Sequence, residues 1–298
     1  MARYGFGYLG SKSEIADEII GALPRGRRFV DLFGGGFAMS HCALLSYKYD
    51  KVLYNDINPL TVQLLKDALS GKYNYDVFKP KWVSRDEFHG KKNTDGYIKW
   101  CWSFSNDGKT YLYGKEIEEI KHACHDFCVF GKPINGTDLF VESNEIKTRR
   151  LAIIQYFKNK YPQTMELQHL QRIENLQKLE NLESQNLEIA CMDYRQYHYH
   201  NGDVVYCDIP YQNSSNKNSD DYGDVFDSGA FYAWAVSRSY PVYFSSYKLG
   251  GIVWERKKTV KKNLACQRNV RTEVLYCVND DYIEPEKIYQ GTLFERQI

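Results

Sequence analysis

A short apolar run, Phe29-Val30-Asp31-Leu32-Phe33, stops at Gly34-Gly35-Gly36 and gives way at once to helical patterning from Phe37 to Tyr47. Strand, glycine turn and helix in that order suit both the abrupt stop and the change of period. Lys51 to Asp56 reads as the next strand, and Asn58-Pro59 offers an N-cap and a first-turn proline to a helix ending near Gly71. Upstream, Ser11-Lys12-Ser13-Glu14 has the capping-box pattern, followed by Ile15, Ile19, Ile20 and Leu23 on one face and then by Pro24. That predicts a helix over roughly 12–22. Strands separated by helices pair in parallel, so this part of the chain opens an α/β fold with a doubly wound, mainly parallel sheet.

The alternation stops from about 72 to 150, where Lys, Trp, Tyr and turn sequences such as Asn106-Asp107-Gly108 and Asn135-Gly136 accumulate. The composition predicts a domain inserted at 72–150 into a second domain made of 1–71 and 151–298, with one amphipathic helix marked by Ile117, Ile120, Cys124 and Phe127. Leu167, Leu170, Ile173, Leu176, Leu179 and Leu182 repeat every three residues, a spacing that drifts around an α-helix and leaves the conformation open. Alternation then resumes, with strands at Leu187 to Cys191, Val204 to Asp208 and Pro241 to Ser245 and a helix near Asp227 to Ser239. Thr272 to Val278 reads as one more strand, a hairpin partner for the run near 252–260. The chain of 298 residues, 43% apolar and 26% charged, has ample core to bury and no stretch near the roughly 20 apolar residues that span a bilayer. With no apolar leader at Met1 and eight cysteines at no regular spacing, a cytoplasmic location with free thiols is expected.

A glycine turn lets backbone approach a ligand closely, which makes Asp31, Phe33, Gly34 and Gly36 candidate cofactor contacts. Asp56, at the end of the second strand, stands where an acid can accept hydrogen bonds from ribose hydroxyls. A dinucleotide fingerprint would require glycine where the chain has Met39, which argues against NAD. The sharper signal is Asp208-Ile209-Pro210-Tyr211, which closes an apolar strand and precedes the polar segment Gln212 to Gly223, read as a lid. Taken in order, five segments resemble the Dam-like (alpha-class) N6-adenine DNA methyltransferases: Tyr8-Leu9-Gly10-Ser11-Lys12, Phe29 to Gly36, Asn55-Asp56-Ile57-Asn58, Met192-Asp193-Tyr194 and Asp208-Ile209-Pro210-Tyr211.

The resemblance implies site-specific methylation of adenine N6 in double-stranded DNA, with S-adenosyl-L-methionine bound by Tyr8, Lys12, Asp56 and Asp208 and its adenine read by Asp193. It implies that the Asp208 carboxylate and the Ile209 carbonyl orient the target amino group, that Pro210 stiffens the turn and that Tyr211 stacks on a flipped base. It makes the insertion the sequence-reading part and leaves room for a restriction partner. The family usually has proline where this chain has Ile209. Two other readings therefore stay open, a lapsed enzyme that only binds DNA and an amino-methyltransferase acting on cytosine N4 or RNA.

Two clusters lie outside these motifs. His122, Cys124, His125 and Cys128 crowd one helix, but without paired C-x2-C knuckles no metal is expected. Between 256 and 271 stand Arg256, Lys257, Lys258, Lys261, Lys262, Arg268 and Arg271 with no acidic residue, a local charge of +7 in a chain whose net charge is +1. That imbalance makes the run the candidate DNA-backbone contact.

Overall fold

The computed structural model describes residues 3–158, 165–210, 226–247, 255–263 and 270–279. Along the chain run α1 (Ala16–Ala22), β1 (Arg28–Asp31), α2 (Ala38–Leu45), β2 (Lys51–Asn55), α3 (Pro59–Leu69), α4 (Arg85–Lys91), α5 (Gly96–Cys101), α6 (Lys115–Phe130), α7 (Ile146–Phe157), α8 (Gln168–Gln177), β3 (Leu187–Ala190), β4 (Asp203–Cys207), α9 (Ser228–Val236), β5 (Val242–Tyr247), β6 (Glu255–Asn263) and β7 (Val270–Val278). They divide into two compact units. One holds residues 63–182 with the strip Gly7–Leu9, and the other holds the remainder.

The sheet-bearing unit contains seven strands among the described residues, in the order β3-β2-β1-β4-β5-β7-β6. β3, β2, β1, β4 and β5 pair in parallel, and β7 is antiparallel to both β5 and β6. Alternation along each strand sends side chains to two different cores. Phe29, Val52, Val204, Tyr206 and Tyr243 pack on one face with Ile19 and Ile20 of α1 and Met39 and Cys42 of α2. Val30, Leu53, Val205, Cys207 and Val242 pack on the other with Phe231 and Trp234 of α9. Both faces are covered, as a parallel sheet requires.

The first helix is shorter than its capping box predicts. It begins at Ala16, with Ile15 in the N-cap position and no side-chain cap. Ser13 Oγ instead accepts from the Tyr4 amide at 2.9 Å, and Ser11 Oγ accepts from the Ser13 amide at 3.3 Å. Lys12 is thereby left ahead of the helix, in irregular backbone. The other caps follow the sequence: Asn58 Oδ1 accepts from Leu60 N ahead of α3, and Asp227 Oδ1 accepts from Ala230 N ahead of α9.

The helical unit extends past the 72–150 segment at both ends, taking in 63–71 and 151–182. The leucines spaced by three belong to α8 and the turns that follow it. Leu167, Leu170, Ile173, Leu176 and Leu179 are all fully buried, and Leu179 N and Leu182 N bond to carbonyls three residues back. A drifting stripe suits a helix enclosed on several sides and then tightened into i→i+3 turns. The guanidinium of Arg150 in α7 donates to both oxygens of Glu174 at 3.0 Å, and Arg172 donates to the carbonyls of Trp100, Cys101 and Ser103 at 3.3, 3.0 and 2.6 Å.

A buried polar chain crosses the same unit. The Tyr113 hydroxyl lies 2.6 Å from His169 Nδ1, and His169 Nε2 lies 2.9 Å from His125 Nδ1. Burial pushes His125 down to about 4 and His169 well below the ordinary histidine value. Both pKa values are lower folded than unfolded, so falling pH favours the unfolded state. The stabilisation is complete above the unfolded value of about 6.5 and is lost as pH falls towards 4. We expect protection of the α6 amides, measured by hydrogen exchange, to fall by about 2 kcal/mol for each of the two histidines between pH 7.5 and pH 5. Equal protection at the two pH values would contradict the assignment.

Candidate active site

β1 ends at Asp31, and the chain turns through Gly34, Gly35 and Gly36 into α2, with Gly35 and Phe37 in the left-handed region at φ 44° and 67°. A Cβ on Gly34 would lie 2.2 Å from the Tyr54 ring, so only glycine lets the Gly34 amide reach the Asn55 carbonyl at 2.7 Å. The Gly36 carbonyl accepts from the Phe6 amide at 2.9 Å, and the Gly35 carbonyl accepts from the Tyr54 hydroxyl at 2.8 Å. The turn is therefore held in place by its own neighbours.

Asp56 completes that hold. Its Oδ2 accepts from Gly35 N and its Oδ1 from Asn58 N, both at 2.8 Å. Each carboxylate oxygen keeps a further lone pair, so Asp56 can brace the turn and still receive a ligand hydroxyl. Burial pushes its pKa up to about 6, against the pull of the two amides. Asp31 is fully buried, and its Oδ2 accepts from Ser40 Oγ at 2.7 Å. Its Oδ1 has no hydrogen-bond partner among the described residues. Burial, together with the charges of Asp208 and Asp56, pushes Asp31 up to about 7 against the opposing Ser40 bond.

Asp208 follows β4 and meets Lys12 across the sequence, with Nζ 2.5 Å from Oδ1. The lysine side chain is 1% exposed and the carboxylate 19%. A buried ammonium needs a counter-charge, and the irregular backbone ahead of α1 is what brings it to one. Ile209 points the other way. It is 2% exposed, in the core that contains Val205, Cys207, Phe231 and Phe244, so this side chain is held by packing. Pro210 is half-buried. Tyr211 and the polar segment to Gly223 lie outside the described residues.

Phe33, after β1, has Tyr194, Phe226 and Phe231 around it at ring distances of 5.2, 5.6 and 5.8 Å. Beside Tyr194, Asp193 accepts from Arg195 Nε at 2.8 Å and from its backbone amide at 2.8 Å, and the guanidinium holds the acid below its ordinary pKa. Sequence reasoning missed Asn55. Its Nδ2 donates to the Leu32 and Met192 carbonyls and its Oδ1 accepts from the Met192 amide, all at 3.0 Å, tying the ends of β1 and β2 to the segment that carries Asp193. No local signal marks that role, because Met192 is 137 residues away.

The remaining candidates fall on other parts of the chain. Tyr8 belongs to the helical unit, where its ring is 4.6 Å from that of Trp100. Arg256, Lys257, Lys258, Lys261 and Lys262 fall on β6 and Arg271 on β7, where the backbone alone is described, and Arg268 lies outside the described residues. No group of three or more His, Cys, Asp or Glu residues suited to a metal ion occurs among the described residues.

With a glycine turn between β1 and α2, acids at the ends of β2 and β4 and a buried lysine on one of them, the arrangement can be compared with known proteins. The family model for D12 class N6 adenine-specific DNA methyltransferases matches residues 8–99. Over those residues the chain is similar to that family. No curated protein matches it. In this methyltransferase the matched stretch carries Lys12, the glycine turn and Asp56, whereas Asp193 and Asp208 lie beyond it. Its reaction is transfer of a methyl group to adenine N6 of DNA. No described helix is long and apolar enough to cross a membrane.

Proposed function

We propose that this methyltransferase binds S-adenosylmethionine over the glycine turn and orients the target adenine with Asp208 and the Ile209 carbonyl. The observation that carries the reading is the Lys12–Asp208 pair at the end of β4, in the same unit as the turn. The donor set fits the cofactor: Asp31, Asp56 and Asp208 are buried or half-buried acids around the turn with Lys12 paired to Asp208, a balance that favours a cationic ligand. When bound, S-adenosylmethionine supplies an electrophilic methyl group on a sulfonium.

The protein's share of the chemistry is orientation and charge. An adenine amino group is a weak nucleophile because its lone pair is delocalised into the ring. Two acceptors on its two N–H groups, a carboxylate oxygen of Asp208 and the carbonyl of Ile209, would turn that lone pair towards the incoming carbon. The same acceptors stabilise the positive charge that grows on nitrogen during transfer. Since N6 is out of reach for this chemistry inside the stack, the base is turned out of the helix first. Phe33, Tyr194 and Asp193 are the groups we assign to the cofactor's adenine.

We assign sequence reading to the helical unit and phosphate contact to the basic run 256–271, and we place the enzyme in the cytoplasm. Replacing Lys257, Lys258, Lys261 and Lys262 by Gln is expected to weaken binding on every DNA sequence and to flatten the log–log salt dependence by about 0.9 for each phosphate no longer neutralised. An unchanged slope would remove the run from the interface. Modification-sensitive sequencing of DNA from a host expressing the protein tests the function as a whole. Methyl-adenine at one short sequence is the result expected, and methyl-cytosine or an unmodified genome would overturn it.

A further inference from the structure

Strand alternation places three polar groups on the same side of the sheet. Val204 and Tyr206 belong to the core that contains α1 and α2, whereas Val205, Cys207 and Ile209 belong to the opposite core, so Asp208 follows Tyr206 to the α1 side. On the next strand Tyr243 is the register partner of Tyr206, and Ser245, two residues further on, faces the same way. Ser245 is fully buried, with its Oγ 3.2 Å from Asp208 Oδ1 and 2.8 Å from the Tyr206 hydroxyl.

Hydrogen-bond capacity sets the direction of this chain. An ionised carboxylate can only accept, and serine has one proton to give. Ser245 therefore donates to Asp208, which obliges Tyr206 to donate to Ser245. Lys12 donates to the same Oδ1. Both donors converge on one oxygen of Asp208, fixing the plane of the carboxylate and directing Oδ2 away from them.

We propose that Ser245, braced by Tyr206, is a positioning residue for methyl transfer: it holds Asp208 in the one rotamer that presents Oδ2 to the adenine amino group. The proposal rests on the reading of Asp208 as the group that orients that amine. Both residues are fully buried, so they act through Asp208. Their effect is on the transfer step, where a small error in placement is costly.

The test compares Ser245→Ala, Ser245→Thr, Tyr206→Phe, the double variant Ser245→Ala/Tyr206→Phe and Asp208→Ala, using single-turnover transfer to cognate DNA, donor affinity by calorimetry and melting temperature. Ser245→Ala is expected to slow transfer by about tenfold to a hundredfold, the scale for one hydrogen bond to a charged group. Donor affinity should stay within about twofold, because the Ser245 hydrogen bond acts in the transition state. Ser245→Thr should recover part of the rate. Tyr206→Phe, which removes one oxygen and keeps the ring, should slow transfer when Ser245 is present and have no effect on Ser245→Ala. A purely structural tyrosine would give the same loss in both backgrounds.

Full activity in Ser245→Ala beside an inactive Asp208→Ala would overturn the proposal and leave the role of Asp208 intact. So would a Ser245→Ala loss that lies wholly in donor affinity, or a Tyr206→Phe effect that does not depend on Ser245. An active Asp208→Ala would overturn the reading of Asp208 itself, and this proposal with it.

Discussion

Asp208→Asn is expected to slow methyl transfer by about a thousandfold, the upper range for removing one preorganised electrostatic interaction from a partly desolvated site. The change is nearly isosteric. What it removes is the charge that balances nitrogen during transfer and the acceptor-only character of both oxygens. It also removes the charge that Asp208 sets against the ammonium of Lys12, which is 1% exposed. Breaking one side of a buried pair costs about 3–5 kcal/mol, and because Asp208 retains 19% exposure we expect about 3. The two losses can be separated by neutralising both partners. Lys12→Met combined with Asp208→Asn should regain most of the stability, since both charges of the pair are then gone, and should stay inactive. Denaturant melts of the three variants beside their transfer rates decide the matter. A double variant as unstable as Asp208→Asn would show that the pair is not what holds this corner of the fold, and a single variant of near-normal rate would remove Asp208 from the chemistry.

The parts of the fold legible in the sequence were those whose cause is local. β1, β2, β4 and β5 are buried on both faces and therefore read as short, mainly apolar runs, and Asn58 and Asp227 announce their helices because a cap acts within three residues. Ser11 and Ser13 have the same local signature, yet their hydroxyls are taken by the backbone of Tyr4 and Ser13, and the helix starts late. Tertiary competition of that kind leaves no mark on a capping box. For the site, the acids at strand ends were visible because strand ends are. Asn55 and Ser245 were not, since each acts on a partner brought near only by the sheet, Met192 for one and Asp208 for the other. Tyr8 takes its place in the motif from order along the chain, and in the structure its ring packs on Trp100 within the helical unit. A motif supplies order along the chain, and distance across it comes from the pairing of strands.

Ile209 stands where the family that this chain resembles usually has proline, and the structure turns that difference into a stability prediction. Proline at this place would fix φ and so fix the carbonyl. Isoleucine leaves φ free, but here its side chain is 2% exposed in the core with Cys207, Phe231 and Phe244, so packing restrains the same peptide from the other side. Ile209→Ala should therefore destabilise the protein by about 2–5 kcal/mol, and Ile209→Val by about 0.5–1.5. Ile209→Pro restores the family's residue and restrains φ, yet it gives up most of the same buried volume, so it too should be less stable than the natural protein. Its transfer rate, measured below its melting point, should remain within about tenfold, or 1.4 kcal/mol in barrier, because the group used in orientation is the carbonyl that all four residues share. Ile209→Ala should lose rate as well as stability, having neither ring nor packing to hold that carbonyl. Denaturant melts and single-turnover rates on the same four proteins would decide it. A proline variant more stable than the natural enzyme would show that the core does not depend on Ile209, and an alanine variant of normal rate would show that packing there does not position the carbonyl.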